Sequence, residues 1–191
     1  MSGRDLGASV RQRLLNQART QGRPFQELLQ YFAMERFLYR LATSPFADRF
    51  ILKGALLLTA WRAPVARPTM DIDLAGKTSN ELEDIRSLVG DVCEFATEPD
   101  GVEFVAGSIE VQRIKEDAEY EGVRVRFNAT LANRRETFEL AISSQPLPSP
   151  AGEPRIRHSN TKNSHRSHAR IVRPTLQSVV VTNWESQAAA F

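Results

Sequence analysis

The chain has 191 residues, of which 41% are hydrophobic and 25% charged, the composition of one soluble globular domain. Its densest apolar stretch, residues 50–61, is short and interrupted by Lys53, and residues 1–5 lack a secretory h-region, so a membrane span and secretion are excluded and a cytoplasmic location is expected. A net charge of +2 excludes a DNA-coating protein held by bulk electrostatics, and the single cysteine, Cys93, excludes an internal disulfide or a cysteine-based zinc centre.

In chain order, Val10, Leu14, Leu15 and Ala18 form one helical stripe within residues 8–20, with Arg11, Arg13 and Arg19 largely off it and Gly22 as a stop. Pro24 sits where a first helical turn accepts proline, and Phe25, Leu28, Leu29, Phe32, Phe37, Leu38 and Leu41 continue at helical spacing until Ser44-Pro45 ends the run. On this second helix Arg36 and Arg40 stand four apart, either as part of a solvated face or as a basic edge for phosphate. Phe50, Ile51 and Leu52 make a short strand, Lys53-Gly54 a turn, and residues 55–61 a helix rich in Leu and Ala. Pro64 and Pro68 bracket a loop. Met70, Ile72 and Leu74 then alternate with Asp71 and Asp73, which predicts a strand with three apolar side chains on one face and two carboxylates on the other. Thr78 and Glu81 fit a capping box opening a helix whose stripe is Leu82, Ile85, Leu88 and Val89. Residues 108–114 and 122–131 read as strands rich in Val, Ile and Phe, joined through the acidic stretch 115–121. Cys93, without a neighbouring His or Cys, reads as a buried small apolar residue.

The texture changes near residue 140. Residues 1–139 carry 19 Lys and Arg against 21 Asp and Glu, whereas residues 140–191 carry 6 against 2 and hold all three histidines and five of the ten prolines. No apolar period survives beyond that point, which predicts a structured unit over residues 1–139 and a poorly ordered tail over residues 140–191.

Two carboxylates two apart on a strand leave the same face and can share one hard cation. Mg²⁺ takes oxygen ligands in an octahedron at about 2.0–2.1 Å, and Asp71 and Asp73 are the candidate pair. Alone, Asp-x-Asp is equally compatible with a solvated strand face. Its context adds to it: Lys53-Gly54-Ala55 opens a helix after a strand, where glycine admits close backbone approach and helix N–H groups meet phosphate. Arg67, just before the acidic strand, supplies a further cation or is a solvated loop arginine.

Residues 49–55, Arg-Phe-Ile-Leu-Lys-Gly-Ala, followed by residues 67–74, Arg-Pro-Thr-Met-Asp-Ile-Asp-Leu, resemble the AbiEii/AbiGii toxin family of nucleotidyltransferases, within the DNA-polymerase-beta-like superfamily. Residues 35–41 and 120–125 also look like that family's run-ups, so the resemblance covers residues 10–133. It implies an α/β (α+β) minimal nucleotidyltransferase fold, a mixed sheet flanked by helices, that moves a nucleotide from an NTP to an acceptor. GTP is among the candidate donors, tRNA or another RNA among the candidate acceptors, and Mg²⁺ is the implied cofactor. The resemblance further implies Asp71 and Asp73 as catalytic metal ligands, and Lys53, Gly54, Ala55 and Arg67 as nucleotide-binding residues. A cognate antitoxin encoded nearby, in a toxin–antitoxin or phage abortive-infection pair, is implied as well. Ala55 stands where the wider superfamily has serine, which leaves only backbone N–H donors for phosphate at that position.

The match then stops. In the family, the strand after the Gly-Val-Arg-Val region carries a third carboxylate in a run resembling Asp-Ile-Gly-x-Gly-Asp-x-x-Thr, and a helical half with a functional lysine follows; neither is present here. Two accounts are open. In one, Glu139, which on a strand shares a face with Thr137 and Ala141, substitutes as the third metal ligand. In the other, the gene is out of frame just before Leu140: with codons TTG GCG ATA TCA TCA CAG, residues 140–145 read Gly-Asp-Ile-Ile-Thr from the third base of the first codon, and this copy is truncated and inactive. A different function class also stays open, a non-catalytic nucleic-acid-binding module whose basic tail contacts phosphate while the acidic strand is structural.

Overall fold

The computed structural model describes residues 3–54, 56, 71–76, 78–79, 81–117, 120–132 and 134–143. Apart from Leu56, which is helical, the expectations for the 55–61 helix lie outside the described residues, as do those for the proline-bracketed loop, Ala55, Arg67 and the tail past Ser143.

Helix α1 spans Gly3–Gln21 and buries Val10, Leu14 and Ala18, one residue per turn along a single stripe. It ends because Gly22 takes φ +64°, which lets the Arg23 N–H donate to Ala18 O at 3.0 Å and close a Schellman cap. Pro24 is the N-cap of α2, Phe25–Thr43, and its carbonyl accepts from the N–H groups of Glu27 and Leu28. Pro45 disfavours a helical Ser44, so the helix stops there in extended backbone, with the Ser44 hydroxyl donating to Leu41 O at 2.8 Å.

A single 3₁₀ turn, Ala47–Arg49, leads into β1, Phe50–Lys53. Strand β2 is Asp71–Gly76, and α3 is Leu82–Glu94. The expected capping box does not form. Glu81, not Thr78, is the N-cap and makes no side-chain cap; the Thr78 hydroxyl instead accepts from Arg49 Nη2 at 3.0 Å, and the Ser79 hydroxyl accepts from the Glu81 N–H.

Strands β3, Val102–Asp117, and β4, Tyr120–Leu131, form a long antiparallel hairpin. The first begins earlier than its Val and Ile content indicates, because a register shift between Val105 and Glu110 interrupts the alternation. Ser108 fills that gap, its hydroxyl donating to Val105 O at 2.7 Å and accepting the Asn128 N–H at 2.8 Å. Ala132, with φ 49°, follows β4, and β5, Arg134–Ser143, pairs antiparallel with β4. This last strand crosses the composition boundary at residue 139 without a break.

The five strands lie in the order β1-β2-β5-β4-β3, with β2 and β5 parallel and every other pair antiparallel, a mixed sheet as expected. Its two faces differ. Phe50, Leu52, Ile72, Leu74, Val123, Val125, Phe127, Ala129 and Ile142 are buried on one of them, and α2 and α3 cover it. Phe37 of α2 packs against Phe127 and, edge-on, against Phe104, with ring centroids 5.1 Å and 5.9 Å away. Ile85, Leu88, Val89 and Val92 of α3 complete the layer over β3. The alternating residues, Lys53, Asp71 and Asp73 among them, fall on the opposite, polar face. Among the described residues, no helix is long and apolar enough to cross a membrane.

Candidate active site

The acidic strand is what its alternation predicts. Ile72 and Leu74 are 1% exposed in the core, while Asp71 is exposed and Asp73 half-buried on the other side of β2. β1 runs antiparallel beside it with Lys53 directly opposite Asp73, which puts a cation and a carboxylate at neighbouring positions of the same face.

Gly54 follows Lys53 with φ +70°, a backbone that an L side chain resists. It is also tight against the acid: a Cβ built on Gly54 would lie 2.1 Å from Asp73 Oδ2 and 3.0 Å from its Cγ. The glycine therefore does two things at once. It turns the chain out of β1, and it leaves the space that the Asp73 carboxylate fills.

On the other flank of β2 runs β5, parallel, with Glu139 in register with Asp71 and Ala141 in register with Asp73. Residues paired in register across two strands share a face, so Glu139 is placed on the face of Asp71 and Asp73, one strand away. Sequence proximity could not supply this register. The described side chains contribute two carboxylates here, and among the described residues no group of three or more His, Cys, Asp or Glu side chains converges as a metal centre. Two carboxylates on an exposed face beside a lysine offer the hard oxygen donors that suit Mg²⁺ rather than a soft metal.

Arg36 and Arg40 are neither a solvated face nor a basic edge for phosphate. They are 3% and 7% exposed and turn inward to Asp100, itself buried before β3. Arg40 Nη2 donates to both Asp100 carboxylate oxygens at 3.2 and 3.3 Å and to Val102 O at 3.0 Å, and Arg36 Nε lies 3.9 Å from Asp100 Oδ2. Arg36 stacks on Tyr39 and Arg40 on Phe104, each with the guanidinium carbon 4.5 Å from the ring centroid. Burial pulls both guanidinium pKa values down, and Asp100 opposes that pull. Nothing in the sequence marked Asp100 as the partner. The available signal was two arginines in the second half of the helix set among the apolar residues Met34, Phe37, Leu38, Leu41 and Ala42.

Cys93 is buried, as expected, and desolvation pushes its thiol up to about 12, which keeps it neutral and unreactive.

A family model described as nucleotidyl transferase AbiEii toxin, type IV TA system, matches residues 36–174. Among solved structures, a proposed nucleotidyltransferase from H. pylori and JHP933 from Helicobacter pylori each align at 22% sequence identity and a TM-score of 0.41, over 65% of this chain. The aligned part covers 48% and 47% of those chains, so this chain spans about half the length of either. None of the curated proteins matches it significantly.

Proposed function

The chain belongs to the AbiEii nucleotidyltransferase toxin family, and on that premise we propose that it transfers a nucleotide from an NTP to an acceptor hydroxyl at the polar face of its sheet. The observation that carries this reading is the register of three strands, which sets Lys53 beside Asp73 and Glu139 beside Asp71. Asp71 and Asp73 would hold Mg²⁺, with Glu139 as third ligand in the first of the two accounts above. When bound, that ion polarises the α-phosphate and neutralises the pyrophosphate as it leaves. Lys53 orients the triphosphate from the β1 side as a point charge, and the turn at Gly54 brings backbone close to it. Arg67 and the Ala55 N–H are further candidates for triphosphate contact. The acceptor oxygen bonds to the α-phosphorus as the bond to pyrophosphate breaks, so the protein's task is to position the groups and balance their charge. RNA, tRNA included, is the acceptor class we favour, GTP is a candidate donor, and the cytoplasm is the expected location. The family's place in type IV toxin–antitoxin systems supports a cognate antitoxin as partner and a role in abortive infection.

The test is to incubate the 191-residue chain with each α-labelled NTP and total cellular RNA, in MgCl₂ or in EDTA. Label should pass into RNase-sensitive material, with pyrophosphate release, only in the presence of magnesium. Absence of transfer from every NTP, by this chain and by a version with the frame restored before Leu140, would remove the reading. RNA binding that disappears on deleting residues 144–191, with no Mg·NTP binding, would favour the non-catalytic module instead.

Two substitutions test the parts. Gly54→Ala forces a side chain into left-handed backbone, at a cost of about 1–2 kcal/mol, and drives Cβ into the space of Asp73 Oδ2. Both thermal stability and Mg·NTP affinity should fall together, read by a melting curve and by calorimetry. A variant melting and binding like the wild type would show that the turn does not hold Asp73. Glu139→Gln separates the two accounts of the third ligand. If Glu139 completes the site, the short chain is active and this change abolishes transfer. If the frame is lost before Leu140, the short chain is inactive and the gene read in another forward frame yields a Gly-Asp-x-x-Thr continuation whose repair restores activity. The course of β5 through Ser143, with Ile142 1% exposed in the core, supports the first account.

A further inference from the structure

Strand β1 carries Lys53 and is the shortest of the five. It has four residues, lies at one end of the strand order and, among the described residues, pairs with β2 alone. Its register decides what Lys53 faces. Phe50 and Leu52 are buried in the core, which excludes a slip of one residue, because that would turn both out to the polar face. A slip of two residues keeps every side chain on its own face. It would set Lys53 opposite Ala75 or Asp71 in place of Asp73, so burial alone does not fix the pairing that the proposed donor side needs.

Two contacts at the other end of the pair do fix it. Phe50 stands opposite Gly76, and a Cβ built on that glycine would lie 3.0 Å from Phe50 Cε1 and 3.2 Å from Thr78 Cγ2, so the ring leaves little room for a side chain on β2 there. Just before the strand, the half-buried Arg49 reaches across to the segment after β2 and donates from Nη2 to the Thr78 hydroxyl at 3.0 Å. Its guanidinium carbon also lies 5.8 Å from the centroid of the Phe46 ring, at the cap of the 3₁₀ turn. A two-residue slip would carry Arg49 about 7 Å along β2 and break the bond to Thr78.

We propose that Arg49 is a positioning residue for nucleotidyl transfer: through Thr78 it holds β1 in the register that places Lys53 opposite Asp73. This rests on the reading of Lys53 as the cation that orients the triphosphate. Arg49 acts through the strand and not on the nucleotide, since it precedes Lys53 by four positions, about 13 Å along extended backbone. The consequence is one of populations. A chain whose short edge strand samples other registers binds as if only the competent fraction were present, so its apparent affinity for Mg·NTP falls in proportion to that fraction.

The experiment measures Mg·ATP and Mg·GTP binding to the full 191-residue chain by calorimetry, with amide hydrogen exchange of β1 followed in parallel by mass spectrometry. Arg49→Met keeps the aliphatic stem and removes the donors. It should weaken Mg·NTP binding about tenfold and speed exchange of the β1 amides, while exchange in β3 and β4 stays as in the wild type. Thr78→Val, which keeps the shape and removes the acceptor, should do the same, and the two changes together should cost no more than either alone. Arg49→Lys retains a donor at the end of the side chain and should recover most of the affinity. Lys53→Ala separates positioning from general support. On that background Arg49→Met should cost less than about twofold in affinity, because the residue it positions is already gone. Additive losses overturn the proposal, since they would make Arg49 an independent contact of the triphosphate or a support of the whole fold. Binding within about twofold of the wild type in Arg49→Met overturns it as well, and so does unaltered exchange in β1. A Lys53→Ala chain that binds Mg·NTP like the wild type, or a wild-type chain that binds none, removes the donor-side reading and with it the part of Arg49 in transfer; exchange in β1 then decides by itself whether Arg49 holds the register.

Discussion

Replacing Asp73 with Asn should lower nucleotidyl transfer by on the order of 100- to 1,000-fold, the scale of removing one preorganised charged contact from a transition state, while the fold is kept. Asn has nearly the shape of Asp, so the close fit against Gly54 and the pairing of β2 with β1 and β5 persist. What disappears is the negative charge that a divalent cation needs at that position. Asp71→Asn should act alike, and because Asp71 is exposed at the sheet surface its stability cost should stay within about 0.5 kcal/mol. Initial rates in magnesium, paired with melting curves, check both. Turnover unchanged in either variant would take the metal away from this strand, and a collapse in stability would instead make the carboxylates part of the structure.

How far the site can be read from the sequence depends on the range of the interaction. The alternation of Ile72 and Leu74 with Asp71 and Asp73 is a local property of one strand, and the structure follows it residue by residue. Helices α1 and α2 are likewise local, each with a full apolar stripe and a stop at Gly22 or Ser44-Pro45. The capping box at Thr78 failed because its hydroxyl is engaged by Arg49, twenty-nine residues earlier, a competitor that no local pattern contains. Strand β5 was divided by the boundary at residue 139, although Phe138, Leu140 and Ile142 alternate with Thr137, Glu139 and Ala141 across it. A change in net charge over a long window outweighed a period-two pattern in a short one. Register was out of reach in principle: that Glu139 stands beside Asp71 depends on how two strands align whose paired residues are 68 positions apart, and a shift of one residue would move Glu139 to the other face.

The largest loss of stability should come from a residue far from the acidic pair. Asp100→Ala should destabilise the fold by about 3–5 kcal/mol, because it leaves buried charge uncompensated. Asp100 answers the guanidinium of Arg40 with both oxygens, lies 3.9 Å from Arg36 Nε, and accepts the Val102 N–H at 2.9 Å where β3 begins. Truncation removes all of these at once while Arg36 and Arg40 stay on α2, packed against Tyr39 and Phe104 and shielded from water. For a chain of this size the loss corresponds to a fall in melting temperature of roughly 6–20 °C. Asp100→Asn keeps the shape and an acceptor for the Val102 N–H but not the charge, so it should fall between the two. Arg36→Met with Arg40→Met, added to Asp100→Ala, removes the stranded cations and should recover part of the loss, as replacement of a whole buried ion cluster by apolar side chains often does. Urea unfolding followed by circular dichroism measures all three. An Asp100→Ala chain within about 1 kcal/mol of the wild type would mean that water reaches the guanidinium groups and that the cluster does not fasten α2 to the start of β3.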